Sequence, residues 1–89
     1  MIRLINIQQM AKEYPNSFKA PQDSELEKLK VGSSVKVCVD NKEKVWVEIT
    51  SIKDSSLKGK IDVHPISLDH ISYGDNISFK KENIYSVLN

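Results

Sequence analysis

A period of two in the apolar residues constrains the fold of this chain more than any other feature. It runs through residues 35–39, 45–50 and 57–63, where the inward positions are mainly Val, Ile and Leu and the alternate positions are polar or charged except for Cys38 and Trp46. Successive side chains of a β-strand point to opposite faces of a sheet, so each segment predicts a strand with one buried face. Turn-forming residues separate the three segments at 40–42 and 54–56, which predicts an antiparallel meander.

Two further short strands are predicted near the C-terminus. After a connection that begins at Pro65, apolar residues recur at Ile77 and Phe79 and again at Ile84 and Val87. Five short strands leave sheet edges that curling into a small barrel would protect. We therefore predict a mainly β (α+β) domain over residues 31–89, a five-stranded antiparallel SH3-like barrel. An OB-like barrel is the alternative, disfavoured because no convincing helix lies between the third and fourth predicted strands.

A weak internal similarity between the two segments that precede the first and fourth predicted strands supports this interpretation. Gly32 precedes the first predicted strand as Gly74 precedes the fourth, each three residues before the first inward side chain, Val35 or Ile77. Glycine tolerates positive φ, so both positions predict a sharp turn into a strand.

Residues 1–30 are predicted to form a short helix and an extended arm that pack on the β-domain. A helical stripe of Ile7, Met10 and Ala11 indicates a helix between residues 6 and 14, which Pro15 ends. Phe18 is the one large apolar side chain of the connector that follows.

A second, single helical turn is predicted just before the β-domain. Ser24 stands three residues before Glu27, the order of a capping box, so the turn would start at Ser24 and stop by Gly32.

Composition excludes several classes of protein. With 89 residues the chain has room for one domain, and an apolar fraction of 39% fits neither a disordered tail nor a membrane protein. A lone cysteine, Cys38, cannot form the intramolecular disulfides of small secreted domains, and the N-terminus resembles no signal peptide, so we expect a cytoplasmic protein. Thirteen basic and twelve acidic residues give a net charge of +1, without the basic excess typical of nucleic-acid binders.

Several segments resemble a bacterial family of small domains known as domain of unknown function 2314. The resemblance is carried by residues 35–37, 45–50, 57–62 and 73–79, and it extends upstream to residues 14–18 and Pro21. Its most specific parts are Trp-Val-Glu in the second strand, Gly59 before Asp62 in the third, and a Gly-Asp turn before the fourth. The resemblance supports the domain boundary and implies no activity.

Trp46 is the leading candidate for a binding residue. Alternation places it on the face opposite Val45 and Val47, which is expected to look outward. An exposed tryptophan would suit an interface, because large aromatic side chains dominate interface energetics. The alternative, which we favour, is that the N-terminal segment covers Trp46 through Phe18 or Met10.

Five charged residues share this outward phase and complete the candidate binding surface: Lys36, Glu48, Lys58, Lys60 and Asp62. A basic stripe beside an aromatic ring is what single-stranded nucleic-acid binders use. Cross-strand pairing of the lysines with the two acids is the commoner arrangement on a solvated sheet, and we favour it.

No constellation predicts catalysis, a metal site or a cofactor. His64 and His70, with Asp62, Asp69 and Asp75 nearby, match no zinc-ligand spacing. Cys38 lies in the outward phase without a Cys-His motif, which indicates a covered structural thiol.

The sequence therefore predicts a non-enzymatic binding or protein-interaction module without cofactor or metal. It would contact a protein partner, and no membrane, through the face around Trp46 or the loop at residues 63–72. The alternative is a single-stranded nucleic-acid-binding barrel that uses Trp46 with Lys36, Lys58 and Lys60.

Overall fold

The chain folds into five strands and short helical segments. The computed structural model describes residues 3–40, 42–54, 56–68 and 70–88. In chain order the elements are α1 (Ile7–Glu13), α2 (Asp23–Glu27), β1 (Ser34–Val39), β2 (Glu43–Lys53), β3 (Ser56–Ile61), β4 (Asn76–Lys80), a 3₁₀ helix (Lys81–Asn83) and β5 (Ile84–Leu88). The five predicted strands are confirmed, although β3 ends two residues before Val63. Asn41 and Ser55 in the predicted turns, and Asp69 in the loop, lie outside the described residues.

The strands form one antiparallel sheet in the order β4-β3-β2-β1-β5. The end strands β4 and β5 are not hydrogen-bonded to each other, so the mainly β fold is confirmed and a closed barrel is not. Residues 3–5 lie along the edge of β1 beyond the start of β5. Leu4 forms a bridge to Val39, and the Ile5 N–H donates to the Cys38 carbonyl at 3.2 Å. This segment protects backbone groups that β5 leaves unpaired.

The inward face of the sheet supplies most of the core. Its buried side chains are Val35, Val37, Val39, Val45, Val47, Ile49, Leu57, Ile61, Ile77, Phe79 and Ile84. Leu26 of α2 joins this cluster, as do Leu68 and Ile71 of the loop between β3 and β4. Burial in alternate positions fixes the register, because a slip by one residue would turn the apolar set to solvent.

A register shift in β2 bends the longest strand of the sheet. The shift lies between Ile49 and Ser51, opposite Gly59 of β3. A Cβ atom on Gly59 would lie 2.6 Å from the Glu48 carbonyl oxygen and would also clash with Val47. Glycine therefore allows the two backbones to approach where β2 bends.

Both predicted hairpin turns form at aspartates with positive φ. Asp40 has φ 54° and Asp54 has φ 56°. The Lys42 N–H closes the first turn on the Val39 carbonyl at 3.0 Å. Aspartate tolerates this left-handed conformation better than most residues, which is why the two positions could be identified as turns.

Gly32 and Gly74, the two glycines that precede β1 and β4, make the same type of turn. Gly32 has φ 97° and Gly74 has φ 88°. Gly32 donates its N–H to Ile49, and Gly74 donates to Ile61, each at 2.8 Å. The residue after each glycine also donates its N–H, Ser33 to the Lys30 carbonyl at 3.0 Å and Asp75 to the Ser72 carbonyl at 3.1 Å. The prediction of a reused turn into a strand is confirmed.

Helix α1 begins and ends where the sequence predicts. The Asn6 side chain accepts a hydrogen bond from the Gln9 N–H at 3.1 Å, which caps the helix. Its amide nitrogen also donates to Glu82 at 2.5 Å, which joins the start of α1 to the 3₁₀ helix.

Helix α2 starts earlier than predicted. Its N-cap is Gln22, whose N–H donates to the Glu25 carboxylate at 2.9 Å, so the predicted capping box of Ser24 and Glu27 is wrong by two residues. The N-cap directly follows the buried Pro21, whose ring restricts the backbone where the chain enters the helix. Among the described residues, no helix has the length and apolar content to cross a membrane.

Candidate interaction surface

Trp46 lies on the outer face of β2, opposite Lys36 of β1. The Lys36 Nζ atom is 4.8 Å from the centroid of the Trp46 ring, a cation–π contact. The tryptophan is partly buried, and its backbone carbonyl accepts a hydrogen bond from the Asp62 N–H at 2.9 Å. Trp46 is thus fixed between a lysine on one side and an aspartate on the other.

The N-terminal arm brings Phe18 to Tyr85 of β5. Their ring centroids are 6.3 Å apart in an edge-to-face arrangement, and Lys44 Nζ lies 4.3 Å from the Tyr85 ring. Phe18 also lines a cleft with Cys38 and Lys44, which lie opposite each other in β1 and β2. Within the described residues no ring contact joins Phe18 to Trp46. The arm therefore places the Phe18 ring beside the cross-strand pair of Cys38 and Lys44, which is adjacent to the pair of Lys36 and Trp46.

Cys38 is buried beside the cleft that Phe18 lines. Its position in β1 has the outward phase, yet only 6% of the residue is exposed. The prediction of a buried or covered thiol is confirmed.

The structure brings together five of the six predicted surface residues. Glu48 of β2 lies opposite Lys60 of β3, in the row next to the one that holds Lys36, Trp46 and Asp62. Glu48 and Lys60 are therefore cross-strand neighbours as expected, but within the described residues no ion pair joins them. Lys58 is set apart, because the register shift in β2 places it opposite Ser51.

A small cleft of about 220 Å³ opens at one end of this surface. Charged residues line one wall, namely Glu48, Lys60 and Asp62, and the turn residues Tyr73 and Gly74 line the other. The mixture of carboxylates and an ammonium group gives the cleft no strong net charge. Such a cleft can offer both donors and acceptors of hydrogen bonds to a ligand.

Tyr73 and His64 extend the cleft outward. Their rings are stacked, with centroids 5.0 Å apart and an interplanar angle of 20°. Tyr73 is 57% exposed although it is held by a tight turn. The stack presents a rigid, amphipathic surface beside the cleft.

Sequence reasoning did not identify Tyr73 or His64 as an aromatic pair. The available signal was the position of Tyr73 immediately before the turn glycine Gly74. The stack itself depends on how the loop between β3 and β4 returns, which no local pattern encodes.

The two histidines have separate partners. His64 stacks on Tyr73, whereas His70 Nε2 lies 2.8 Å from Asp40 Oδ2 in the turn between β1 and β2. Within the described part of the chain, no group of three or more His, Cys, Asp or Glu residues could hold a metal ion. Asp69 of the predicted cluster lies outside that part.

Glu43 anchors the loop between β3 and β4. Its carboxylate accepts hydrogen bonds from the N–H groups of Ser67 at 2.7 Å and Ile66 at 2.9 Å, and from the Ser67 hydroxyl at 2.9 Å. The Ser67 and Ile66 amides hold the pKa of this carboxyl below its usual range, because they stabilise the charged form. The loop is thereby fixed with the Ile66 side chain 93% exposed.

Comparison with known proteins assigns no family to the chain. No family model matches it, and no curated protein or solved structure does either. The function of the surface must therefore follow from its own geometry.

Proposed function

We propose that this domain is a non-catalytic protein-interaction module that binds its partner at the cleft beside Tyr73. The observation that carries the proposal is the stacked pair of Tyr73 and His64, exposed beside a cleft that Tyr73 lines. Tyrosine and tryptophan supply large contact areas at low cost in side-chain entropy, which is why they are enriched at interfaces.

The charges of the cleft favour a protein over a nucleic acid. Glu48 and Asp62 stand beside Lys60, so a phosphate group in the cleft would meet two carboxylates for one ammonium. Lys58 is displaced from Trp46, and Lys36 is engaged with the tryptophan ring. The single-stranded nucleic-acid alternative is weakened on each of these points.

We also propose an SH3-like arrangement of the open sheet. Support comes from the strand order, from the bend in β2 and from the 3₁₀ helix that joins β4 to β5. The resemblance to domain of unknown function 2314 remains a prediction. So does the cytoplasmic location, for which the lone Cys38 is the support.

The proposal is tested by capture from a lysate of the source organism on immobilised protein. Tyr73→Ser removes the exposed ring and should abolish capture of the specific partner. Tyr14→Ser is the matched control, because Tyr14 is 55% exposed at the end of α1 and lies outside the cleft. Equal capture by both variants and the parent protein would exclude Tyr73 as the binding residue.

A titration with single-stranded oligonucleotides tests the alternative function. We expect no binding at moderate salt. Binding that weakens steeply as salt is added, and that Lys60→Gln reduces, would favour the nucleic-acid function.

A further inference from the structure

Strand β4 has an open edge. It is the last strand of the sheet, and within the described residues β3 is its only strand partner. On the other side of residues 76–80, no described strand pairs with the backbone groups. An edge of this kind accepts an extended segment from another chain.

The hydrogen bonds of Ile61, the last residue of β3, show which backbone groups of β3 face β4 and therefore which groups of β4 face outward. The Ile61 carbonyl accepts from the Gly74 N–H, and the Ile61 N–H donates to the Asp75 carbonyl, both at 2.8 Å. The backbone N–H and C=O groups of successive residues point to alternate sides of a strand. Those of Gly59 and Leu57 therefore also point toward β4.

The residues of β4 opposite them, Ile77 and Phe79, direct their backbone groups to β3. The alternate residues Asn76, Ser78 and Lys80 direct theirs to the open edge. The Lys80 N–H confirms this direction, because it donates to the Asn83 side chain at 2.9 Å instead of to β3. Asn76 and Ser78 are therefore the residues that can pair with an added strand.

The outer face beside this edge is basic. Each cross-strand row of β3 and β4 holds one lysine and one short polar residue: Lys60 with Asn76, Lys58 with Ser78, and Lys80 with Ser56. Within the described part of the chain, no carboxylate lies within ion-pair distance of these lysines. Three acids lie nearby. Glu48 is opposite Lys60 on the β2 side, and Asp62 lines the same cleft as Lys60. Glu82 lines a cleft with Ser78 and Lys80 and accepts a hydrogen bond from Asn6.

The geometry points to an extended acidic peptide segment as the partner of the β4 edge. Rows in a sheet repeat about every 6.8 Å, twice the rise per residue, so the charges would match carboxylates at every second position of an added strand. The short side chains of Asn76 and Ser78 leave room for Lys60 and Lys58 to reach across to that strand. This inference goes beyond the proposed function and does not depend on Tyr73.

A peptide is favoured over a nucleic acid because the edge offers amide and carbonyl groups that another peptide backbone pairs in register. The described outward positions of β3 and β4 also carry no aromatic ring on which a base could stack.

The probe for this site is the acetylated and amidated peptide Val-Glu-Val-Glu-Val-Glu-Val, titrated into the ¹⁵N-labelled full chain. We expect chemical-shift changes confined to β4 and adjacent β3, and slower hydrogen exchange of the Ser78 amide. The double variant Lys58→Glu/Lys80→Glu should weaken binding about tenfold, since it turns two attractive contacts into repulsive ones. Lys12→Glu/Lys19→Glu, with the same change in net charge, should bind as the parent protein does.

Three further probes make the result decisive. The same peptide with Lys in place of Glu should bind only the Lys58→Glu/Lys80→Glu variant. A fully N-methylated Glu peptide, which cannot donate backbone hydrogen bonds, should fail to bind. Tyr73→Ser should bind the Glu peptide unchanged, which separates this site from the cleft.

Several outcomes would overturn the inference. They are equal binding of the Glu and Lys peptides to the parent protein, binding that N-methylation leaves intact, and loss of binding in Tyr73→Ser. Tighter binding of a decathymidylate than of the Glu peptide at the same face would assign the lysines to nucleic acid. Thermal unfolding of each charge variant, followed by circular dichroism, establishes that the fold persists.

Discussion

Ser67 donates two hydrogen bonds to Glu43, one from its amide at 2.7 Å and one from its hydroxyl at 2.9 Å. The two residues are 24 positions apart in the sequence. Their contact, together with the Ile66 amide, ties the loop between β3 and β4 to the first residue of β2. One carboxylate thus sets the position of the loop that carries His64 and Ile66.

The Glu43 contact makes the stability of the loop dependent on pH. The folded pKa of Glu43 is lowered from 4.5, so its contribution to stability is complete well above pH 4.5 and is lost as pH falls through the folded pKa. Urea unfolding should show Glu43→Gln to be less stable than the parent protein at pH 7, with a difference that shrinks toward pH 3. A difference independent of pH over this range would contradict a role for the charged carboxylate. Asp54→Asn, a change on an exposed turn, serves as the control for general charge effects.

Substitution of each of the three glycines by alanine should lower the free energy of unfolding by a different amount. Gly59→Ala forces a Cβ into Val47 and the Glu48 carbonyl, and we expect a loss of about 2 to 3 kcal/mol in the free energy of unfolding. At Gly32 and Gly74 a Cβ meets no atom within 4 Å, so only positive φ is penalised, at about 1 to 2 kcal/mol each. Chemical denaturation checks the order, and Gly59→Ala being the mildest of the three would contradict the close approach at the bend.

Trp46 reports on its contact with Lys36, because it is the only tryptophan of the chain. Lys36→Met keeps an unbranched side chain but removes the ammonium group over the ring, so the fluorescence emission of Trp46 should change. The loss of stability should be about 0.5 to 1 kcal/mol, the usual value for a cation–π contact at an exposed site. Lys58→Met, in a row that does not include Trp46, should leave the emission unchanged. Identical spectra of both variants would contradict the Lys36 contact.

The strands and turns could be predicted from the sequence because local physics determines them. Alternation at Val45 and Val47 reflects a sheet with one buried face, and positive φ favours residues such as Gly74 and Asp40. The pairing of Lys36 with Trp46 follows from the same alternation once the hairpin register is known. The start of α2 could not be predicted, since Gln22 and Ser24 both lie near plausible capping partners.

The contacts of the candidate surface depend on loops that return over many residues. His64 reaches Tyr73, and Glu43 reaches Ser67, only after the loop between β3 and β4 is anchored by its buried Leu68. Neither contact leaves a periodic signal. The open edge of β4 likewise depends on the order of the strands in the sheet. The predicted meander gives that order for the first three strands but does not place β4 and β5.

The position of Phe18 in the same cleft as Cys38 predicts that its ring limits access of reagents to the thiol. Cys38 is 6% exposed, and it lines a cleft with Phe18 on the outer face of β1. Phe18→Ala removes the ring that packs against Tyr85 and opens the cleft, so the reaction of Cys38 with a disulfide reagent such as Ellman's should become about tenfold faster. Tyr14→Ala, also in the N-terminal segment but outside this cleft, should leave the rate unchanged. If the two variants reacted at the parent rate while remaining folded, the arm would not be the barrier, and local opening of the sheet would be what exposes the thiol.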